Sequence, residues 1–195
     1  MICLEKLFDV IINDQYGIVF GGKKLIFLKT GRGGSIYGHE NKYVKLAKNI
    51  SEQFGYSVVI SAYSEKSVCM LKEELNLIKT YIVDLEEILF VGISAGALIG
   101  AQQGYLNNEI TGMLLVNGPI MINWPKTKKG IERFEGKIVE MIYGTEDPSY
   151  KYFEILNCIK SERLNFRGIK GADHNFSGMQ GTLESEIIRF INFLI

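Results

Sequence analysis

The sequence contains few of the residues on which disulfide-rich and metal-binding proteins depend. Its 195 residues include three cysteines, Cys3, Cys69 and Cys158, which lie far apart and form no Cys-x-x-Cys pair. This pattern argues against a disulfide framework or a zinc knuckle, and a reducing cytoplasm is the expected location. The chain has two histidines and no His-x-x-x-His pattern, so we expect neither a metal ion nor a cofactor.

Charge of one sign, long apolar segments and linker sequences are also lacking. Lysine plus arginine equals aspartate plus glutamate at 22 each, so the chain has no overall field to attract nucleic acid or an anionic membrane. No segment reaches transmembrane length, and the start of the chain does not resemble a secretion signal. With three prolines, no repeat and 47% hydrophobic residues, we expect one domain spanning residues 1–195.

Strand-like and helix-like segments alternate along the chain. Apolar patterns predict strands at residues 7–12, 17–20, 24–28, 56–61, 88–93, 112–116, 137–143 and 164–169. They predict helices at residues 41–54, 65–77, 95–105, 150–161 and 183–194. We therefore expect an α/β fold, a three-layer α/β/α sandwich around a mostly parallel, twisted sheet. Its functional residues should follow the carboxyl ends of the strands.

The most informative segment is a Gly-x-Ser-x-Gly pattern centred on Ser94. Apolar β-prone residues precede it and a helix-compatible run follows it, which predicts a sharp turn between a strand and a helix. Such a turn lifts the hydroxyl above the sheet edge and leaves little room for side chains at Gly92 and Gly96. The backbone N–H of Ala95 would point to where an oxyanion forms. A tight turn in an unrelated parallel-sheet protein would show the same pattern.

A nucleophilic serine needs a base, and the base needs a third group that fixes its tautomer. His174 is the candidate base because it lies in a polar loop after the last predicted strand, at the same sheet end as Ser94. His39 occurs early in the chain and is the weaker candidate.

The orienting carboxylate is expected in another loop at this sheet end. Asp147 follows a strong predicted strand, and Pro148 disfavours a helical conformation at Asp147, so Asp147 is our candidate. Glu146 and Asp173 are alternatives. Asp173 adjoins His174, but adjacent side chains diverge, so a supporting role is favoured for it.

A glycine-rich loop at residues 30–35 follows the predicted strand 24–28. Its backbone N–H groups are unobstructed, so an oxyanion could be held by the N–H of Ala95 and that of Arg32 or a neighbouring glycine. The loop lacks the Walker spacing and the dinucleotide fingerprint, which argues against phosphate binding. The Arg32 side chain could attract a substrate carboxylate or phosphate, or it could be a solvated surface arginine.

The order Ser94, Asp147, His174 and the loop Thr30-Gly31-Arg32-Gly33-Gly34 resemble the α/β-hydrolase superfamily over nearly the whole chain. The resemblance implies the α/β-hydrolase fold and a Ser-His-Asp triad. It also implies that the backbone N–H of Arg32 is the second oxyanion donor. Thr30 stands where many members of the family have a histidine.

Members of this superfamily often insert a cap between the sixth strand and the strand before the acid. Only residues 121–136 are available here, which is too short for an independent cap. The resemblance therefore implies a lidless hydrolase with no separate cap domain, in which Trp124 and Pro125 rim an open pocket.

The predicted activity is that of a carboxylesterase-like serine hydrolase, which cleaves an ester or thioester of a small-molecule acyl substrate through an acyl-enzyme. We expect Gly31, Arg32, Gly33 and Trp124 to contact this substrate. A non-catalytic binding module on the same scaffold is an alternative, as are an acyltransferase, a peptidase and a lactonase with the same triad. The apolar segment 187–195 could pack on the sheet or form a homo-oligomer surface.

Overall fold

The computed structural model describes residues 6–64 and 70–195, and the elements below lie within them. The strands are β1 (Val10–Ile12), β2 (Tyr16–Val19), β3 (Lys24–Lys29), β4 (Ser57–Ser61), β5 (Glu87–Ile93), β6 (Ile110–Val116), β7 (Ile138–Gly144) and β8 (Leu164–Ile169). The α-helices are α1 (Lys42–Phe54), α2 (Leu71–Lys79), α3 (Ala95–Gln103), α4 (Trp124–Glu132) and α5 (Gln180–Leu194). Shorter or tighter 3₁₀ helices occupy His39–Asn41, Gly104–Leu106 and Pro148–Cys158.

The described strands form one sheet in the order β1-β2-β4-β3-β5-β6-β7-β8. Strand β2 is antiparallel to both of its neighbours, and every other neighbouring pair is parallel. The predicted mostly parallel sheet is confirmed. Because parallel strands end at the same edge, the loops that follow β3, β5, β6, β7 and β8 lie along one side of the molecule.

Helices cover both faces of this sheet, and the strands alternate between two apolar cores. In β5, Leu89 and Val91 belong to one core, whereas Ile88 and Phe90 belong to the other. Helices α1 and α5 pack on the first core, and α2, α3 and α4 pack on the second. Strands with apolar side chains on both faces need a helical layer on each side, so the expected α/β/α sandwich follows from their composition.

We expected the segment between β6 and β7 to rim the pocket, but the structure places it elsewhere. It contains α4, which packs on α3 in the second helical layer. Gly130 makes this contact possible, since a Cβ at this position would lie 2.0 Å from the carbonyl oxygen of Ala101. Trp124 begins α4 and packs against the second core. The segment thus completes a layer and forms no cap.

Two predicted helices differ in the structure. The helix expected at residues 65–77 is found at Leu71–Lys79, and residues 65–69 lie outside the described part of the chain. The α-helix expected at residues 150–161 is a 3₁₀ helix, Pro148–Cys158. A 3₁₀ helix aligns side chains three residues apart, and the rings of Tyr150 and Phe153 stack with centroids 5.0 Å apart. This aromatic contact favours the tighter winding.

The C-terminal helix α5 packs on the sheet through Ile187, Phe190 and Ile191, all of which are fully buried. Phe193 and Ile195 remain exposed. Among the described helices, none combines the length and apolar character needed to cross a bilayer.

Candidate active site

Ser94 lies in a sharp turn between β5 and α3, in the middle of the sheet edge. Its backbone has φ 53° and ψ −114°, a conformation that residues other than glycine rarely adopt. Two glycines allow the turn to be this tight. A Cβ on Gly92 would lie 2.6 Å from the Cα of Ala97, and a Cβ on Gly96 would lie 2.2 Å from the carbonyl oxygen of Lys29. The sequence Gly-x-Ser-x-Gly therefore fits this turn for steric reasons.

The structure brings Ser94, His174 and Asp147 together, although 80 residues separate Ser94 from His174. Nε2 of His174 lies 3.0 Å from Oγ of Ser94. Nδ1 of the same ring forms a hydrogen bond with Oδ2 of Asp147. If Nδ1 carries a proton, it donates to the carboxylate and leaves Nε2 free to accept from the serine hydroxyl.

The carboxylate of Asp147 is buried and held in place by its own turn. Asp147 is 4% exposed and begins the 3₁₀ helix Pro148–Cys158. Its Oδ1 accepts a hydrogen bond from the backbone N–H of Ser149 at 2.6 Å, and its own N–H donates to the carbonyl of Gly144 at 3.0 Å. Oδ2 is thereby directed to the imidazole of His174.

The contact between Asp147 and His174 shifts both pKa values. Burial by itself raises the pKa of Asp147, but hydrogen bonds from His174 and Ser149 outweigh burial and hold this pKa below its ordinary value of 3.8. The hydrogen bond to Asp147 raises the pKa of His174 above 6.5, against the opposing effect of burial. The ionised carboxylate of Asp147 stabilises the protonated imidazole, and the raised pKa makes His174 a better proton acceptor.

The two alternative carboxylates occupy other positions. Glu146 is exposed. Asp173 accepts hydrogen bonds from the backbone N–H groups of Asn175 at 3.0 Å and Ser177 at 2.8 Å. These bonds lower the pKa of Asp173 and shape the loop that carries His174. Asp173 thus supports the histidine loop, whereas the hydrogen bond to the imidazole comes from Asp147.

Asn117 is a buried residue of this region that the sequence reasoning missed. It follows β6 with φ 49° and is fully buried. Its Nδ2 donates to the carbonyls of Asp173 and His174, and its Oδ1 accepts from the backbone N–H of Gly144 at 2.8 Å. One side chain therefore connects the ends of β6 and β7 to the histidine loop. Its place directly after a buried strand was the available signal.

The glycine-rich loop passes directly beside Ser94. A Cβ on Gly31 would lie 3.0 Å from the Cβ of Ser94. The N–H of Gly34 donates to the carbonyl of Gly31 at 3.0 Å, and Gly33 between them has φ 71°. Thr30 is fully buried, and its hydroxyl accepts from the backbone N–H of Tyr63 at 3.0 Å. Thr30 thus anchors the start of this loop.

Ala95 is the first residue of α3, so its N–H precedes the first intrahelical hydrogen bond. The positive end of the helix dipole lies at the same point. An oxyanion beside Ser94 would therefore meet the amino end of α3.

A cavity of about 270 Å³ opens beside Ser94. Its lining includes Gly31, Arg32, Lys42, Ser94, His174 and Phe176. Gly33 and Trp124 are not among the residues that line it. Gly33 instead lies in the turn of the glycine-rich loop, and Trp124 packs against the second apolar core. The exposed His39 lines a neighbouring cavity of about 420 Å³ and not the cavity of Ser94.

Comparison with known proteins places this geometry in a defined fold. No protein-family model matches the chain. No curated sequence matches it either. Solved structures do match, and those described by class are α/β hydrolases, serine hydrolases and esterases.

Three of these structures illustrate the likeness. An α/β serine hydrolase homologue from Coxiella burnetii shares 17% identity at a TM-score of 0.71, covering 92% of this chain and 98% of its own. An α/β serine hydrolase without lid from Xanthomonas campestris shares 13% at 0.68, covering 92% and 88%. Est1E from Butyrivibrio proteoclasticus shares 11% at 0.68, covering 94% and 98%. The chain has the α/β-hydrolase fold, as its resemblance to that superfamily implied.

Proposed function

We propose that this protein is a lidless serine hydrolase that cleaves a carboxylic ester or thioester through an acyl-enzyme intermediate. The observation that carries the proposal is the continuous line of hydrogen-bonded groups from Ser94 Oγ through His174 to the buried carboxylate of Asp147. The same spatial arrangement activates serine on several unrelated folds, so it is recognised by its geometry.

In the proposed reaction, Oγ of Ser94 attacks the carbonyl carbon of the substrate while Nε2 of His174 takes the hydroxyl proton. Asp147 stabilises the imidazolium that forms. When the tetrahedral intermediate collapses, the bond to the leaving group breaks and His174 returns the proton to the departing oxygen or sulfur. A water molecule, deprotonated by His174, then attacks the acyl group and releases the acid and Ser94.

The negative oxygen of each tetrahedral intermediate needs hydrogen-bond donors that are already in place. We assign this role to the backbone N–H groups of Ala95 and Arg32. The position of Ala95 at the start of α3 and the close approach of Gly31 to Ser94 support the assignment. Loss of one such donor typically costs about 3 kcal/mol of transition-state stabilisation.

The absence of a cap between β6 and β7 suggests a substrate that reaches the serine directly. A cavity of about 270 Å³ suits a small acyl group better than a long chain. One of the similar structures is Est1E with ferulic acid bound, which is an example of a small carboxylic acid on this fold.

Covalent labelling tests the proposal. The wild-type protein should react with a fluorophosphonate probe and hydrolyse 4-nitrophenyl acetate. The Ser94→Ala variant should do neither, while its circular dichroism spectrum stays unchanged. Ser185→Ala is the matched control, because Ser185 is exposed on α5 and its hydroxyl bonds only to the carbonyl of Gly181 among the described residues.

Labelling that persists in the Ser94→Ala variant would contradict the proposal. Wild-type protein that is neither labelled nor active would favour a non-catalytic binding module on this fold. If an acyl-enzyme forms but is released only by an added alcohol, amine or thiol, the activity is acyl transfer and not hydrolysis.

A further inference from the structure

The cavity of Ser94 is lined by a lysine, Lys42, that has no acidic partner in the described part of the chain. Lys42, the first residue of α1, lines this cavity together with Arg32. Among the described residues, none that lines the cavity is acidic. A substrate entering the cavity therefore meets the ammonium group of Lys42 and the imidazole of His174, but no carboxylate from the lining.

Lys42 has no acidic partner within the described part of the chain. No carboxylate there lies within 4.0 Å of its ammonium group. By contrast, the fully buried Lys29 is paired with Glu74 at 2.6 Å. The ammonium of Lys42 lies 5.1 Å from the centre of the Tyr43 ring, a contact that orients the charge but leaves it in place.

Partial burial makes this charge costly. Removal of water from Lys42 lowers its pKa, because the charged form loses hydration. Buried charges are normally paired, and Lys42 lines the cavity of Ser94, where an anion would have room to pair with it. An anionic group of a bound ligand would supply the missing partner.

The neighbouring cavity limits where the anion can lie. It shares Lys42, Tyr43 and Leu183 with the cavity of Ser94, so the two cavities are neighbours along α1. It is also lined by Glu40 and Glu184, whose carboxylates repel an anion. The favourable position is therefore at Lys42, on the side that faces Ser94.

We propose that Lys42 binds a negatively charged oxygen group of the substrate, so that the site prefers esters or thioesters carrying a carboxylate or a phosphate. This inference names the substrate class and rests on the proposed function. The acyl chain or the leaving group would place its charged end against α1 while its carbonyl lies at Ser94.

Two matched pairs of substrates test the inference at constant ionic strength. The pair 4-nitrophenyl acetate and 4-nitrophenyl hemisuccinate places the charge on the acyl group, and the pair phenyl acetate and 4-acetoxybenzoate places it on the leaving group. In at least one of the two pairs, Lys42→Met should lower kcat/KM for the anionic ester about tenfold. For the neutral ester of that pair, kcat/KM should change by less than about twofold. Lys42→Arg should keep most of the preference.

Lys72→Met is the control for net charge, because Lys72 is exposed on α2 and lies outside the cavity of Ser94. A second assay does not depend on hydrolysis. Binding of glutarate and of inorganic phosphate to Ser94→Ala is measured by calorimetry, and the added change Lys42→Met should weaken the binding of at least one of them about tenfold.

The two assays separate the failure of this inference from failure of the proposed function. If the wild type cleaves none of these esters but Lys42-dependent anion binding is found, the hydrolase proposal fails and the anion site stands. If Lys42→Met changes neither the anionic preference nor the binding of either anion, the anion site is overturned, whatever the hydrolytic activity.

Discussion

The side chain of Asn117 donates a hydrogen bond from Nδ2 to the backbone carbonyl of His174 at 3.0 Å. The histidine loop leaves β8 and has little regular structure of its own, so its backbone needs partners from the rest of the fold. Asn117 supplies one such partner from the end of β6. The position of the imidazole therefore depends on Asn117. None of the hydrogen bonds described joins Asn117 to Ser94 or to the carboxylate of Asp147.

Replacement of Asn117 by glycine should lower the rate more than it weakens substrate binding. Glycine accepts the φ of 49° and removes all three side-chain hydrogen bonds. We expect kcat on 4-nitrophenyl acetate to fall at least about tenfold while KM changes by less than about threefold, because the loose loop misplaces the base. A urea titration should show that the free energy of unfolding falls by about 2–3 kcal/mol. A purely structural role would give this loss of stability with an unchanged kcat in the remaining folded protein.

Replacement of Asp147 by asparagine should move the pH dependence of the reaction. In the proposed mechanism the neutral form of His174 is the base. Asp147 raises the pKa of this ring above 6.5, so wild-type kcat/KM should rise with pH through a midpoint above 6.5. Without the carboxylate, the midpoint should move to lower pH, and kcat should fall about a thousandfold or more, because the tautomer is no longer fixed. Glu146→Gln is the control, since Glu146 is exposed. An unmoved midpoint in Asp147→Asn would show that another group sets the pKa of His174.

The buried pair of Lys29 and Glu74 provides a test of stability near the glycine-rich loop. Nζ of Lys29 donates to Glu74 at 2.6 Å, to Ser61 Oγ at 2.9 Å and to the carbonyl of Ala62 at 3.1 Å. Lys29→Met leaves the carboxylate buried without a cation, so we expect a loss of about 3–5 kcal/mol in urea unfolding. The double variant Lys29→Met/Glu74→Leu should lose less than the single variant. A double variant that is less stable than Lys29→Met would show that the hydrogen bond from Ser61 to Glu74 outweighs the cost of the unpaired carboxylate.

Sequence alone could predict the parts of this molecule that have a strong periodic or steric signal. The central strands read as apolar runs, and the glycines around Ser94 leave only a tight turn. Ser94, Asp147 and His174 each follow a predicted strand, and a parallel sheet brings the loops after its strands to one edge. The structure shows the three side chains in contact there.

Other features escaped prediction because their cause is tertiary. Helix α4 buries Thr127, Gly130 and Ile131, a face too small and too polar to give an apolar periodicity. For the same reason, the sequence did not predict that Trp124 packs against the second core. Asn117 reads as an ordinary turn residue before Gly118, and its three hydrogen bonds exist only after β6, β7 and the histidine loop have assembled.

The backbone of Ser94 has a consequence for how the fold relates to its use. A non-glycine residue at φ 53° and ψ −114° raises the free energy of the native chain by about 1–3 kcal/mol. Glycine would relieve most of this strain and would serve equally well as a bend. A molecule needed only as a rigid shell would gain stability from that exchange, so the strained serine supports the proposed role of its hydroxyl as a nucleophile.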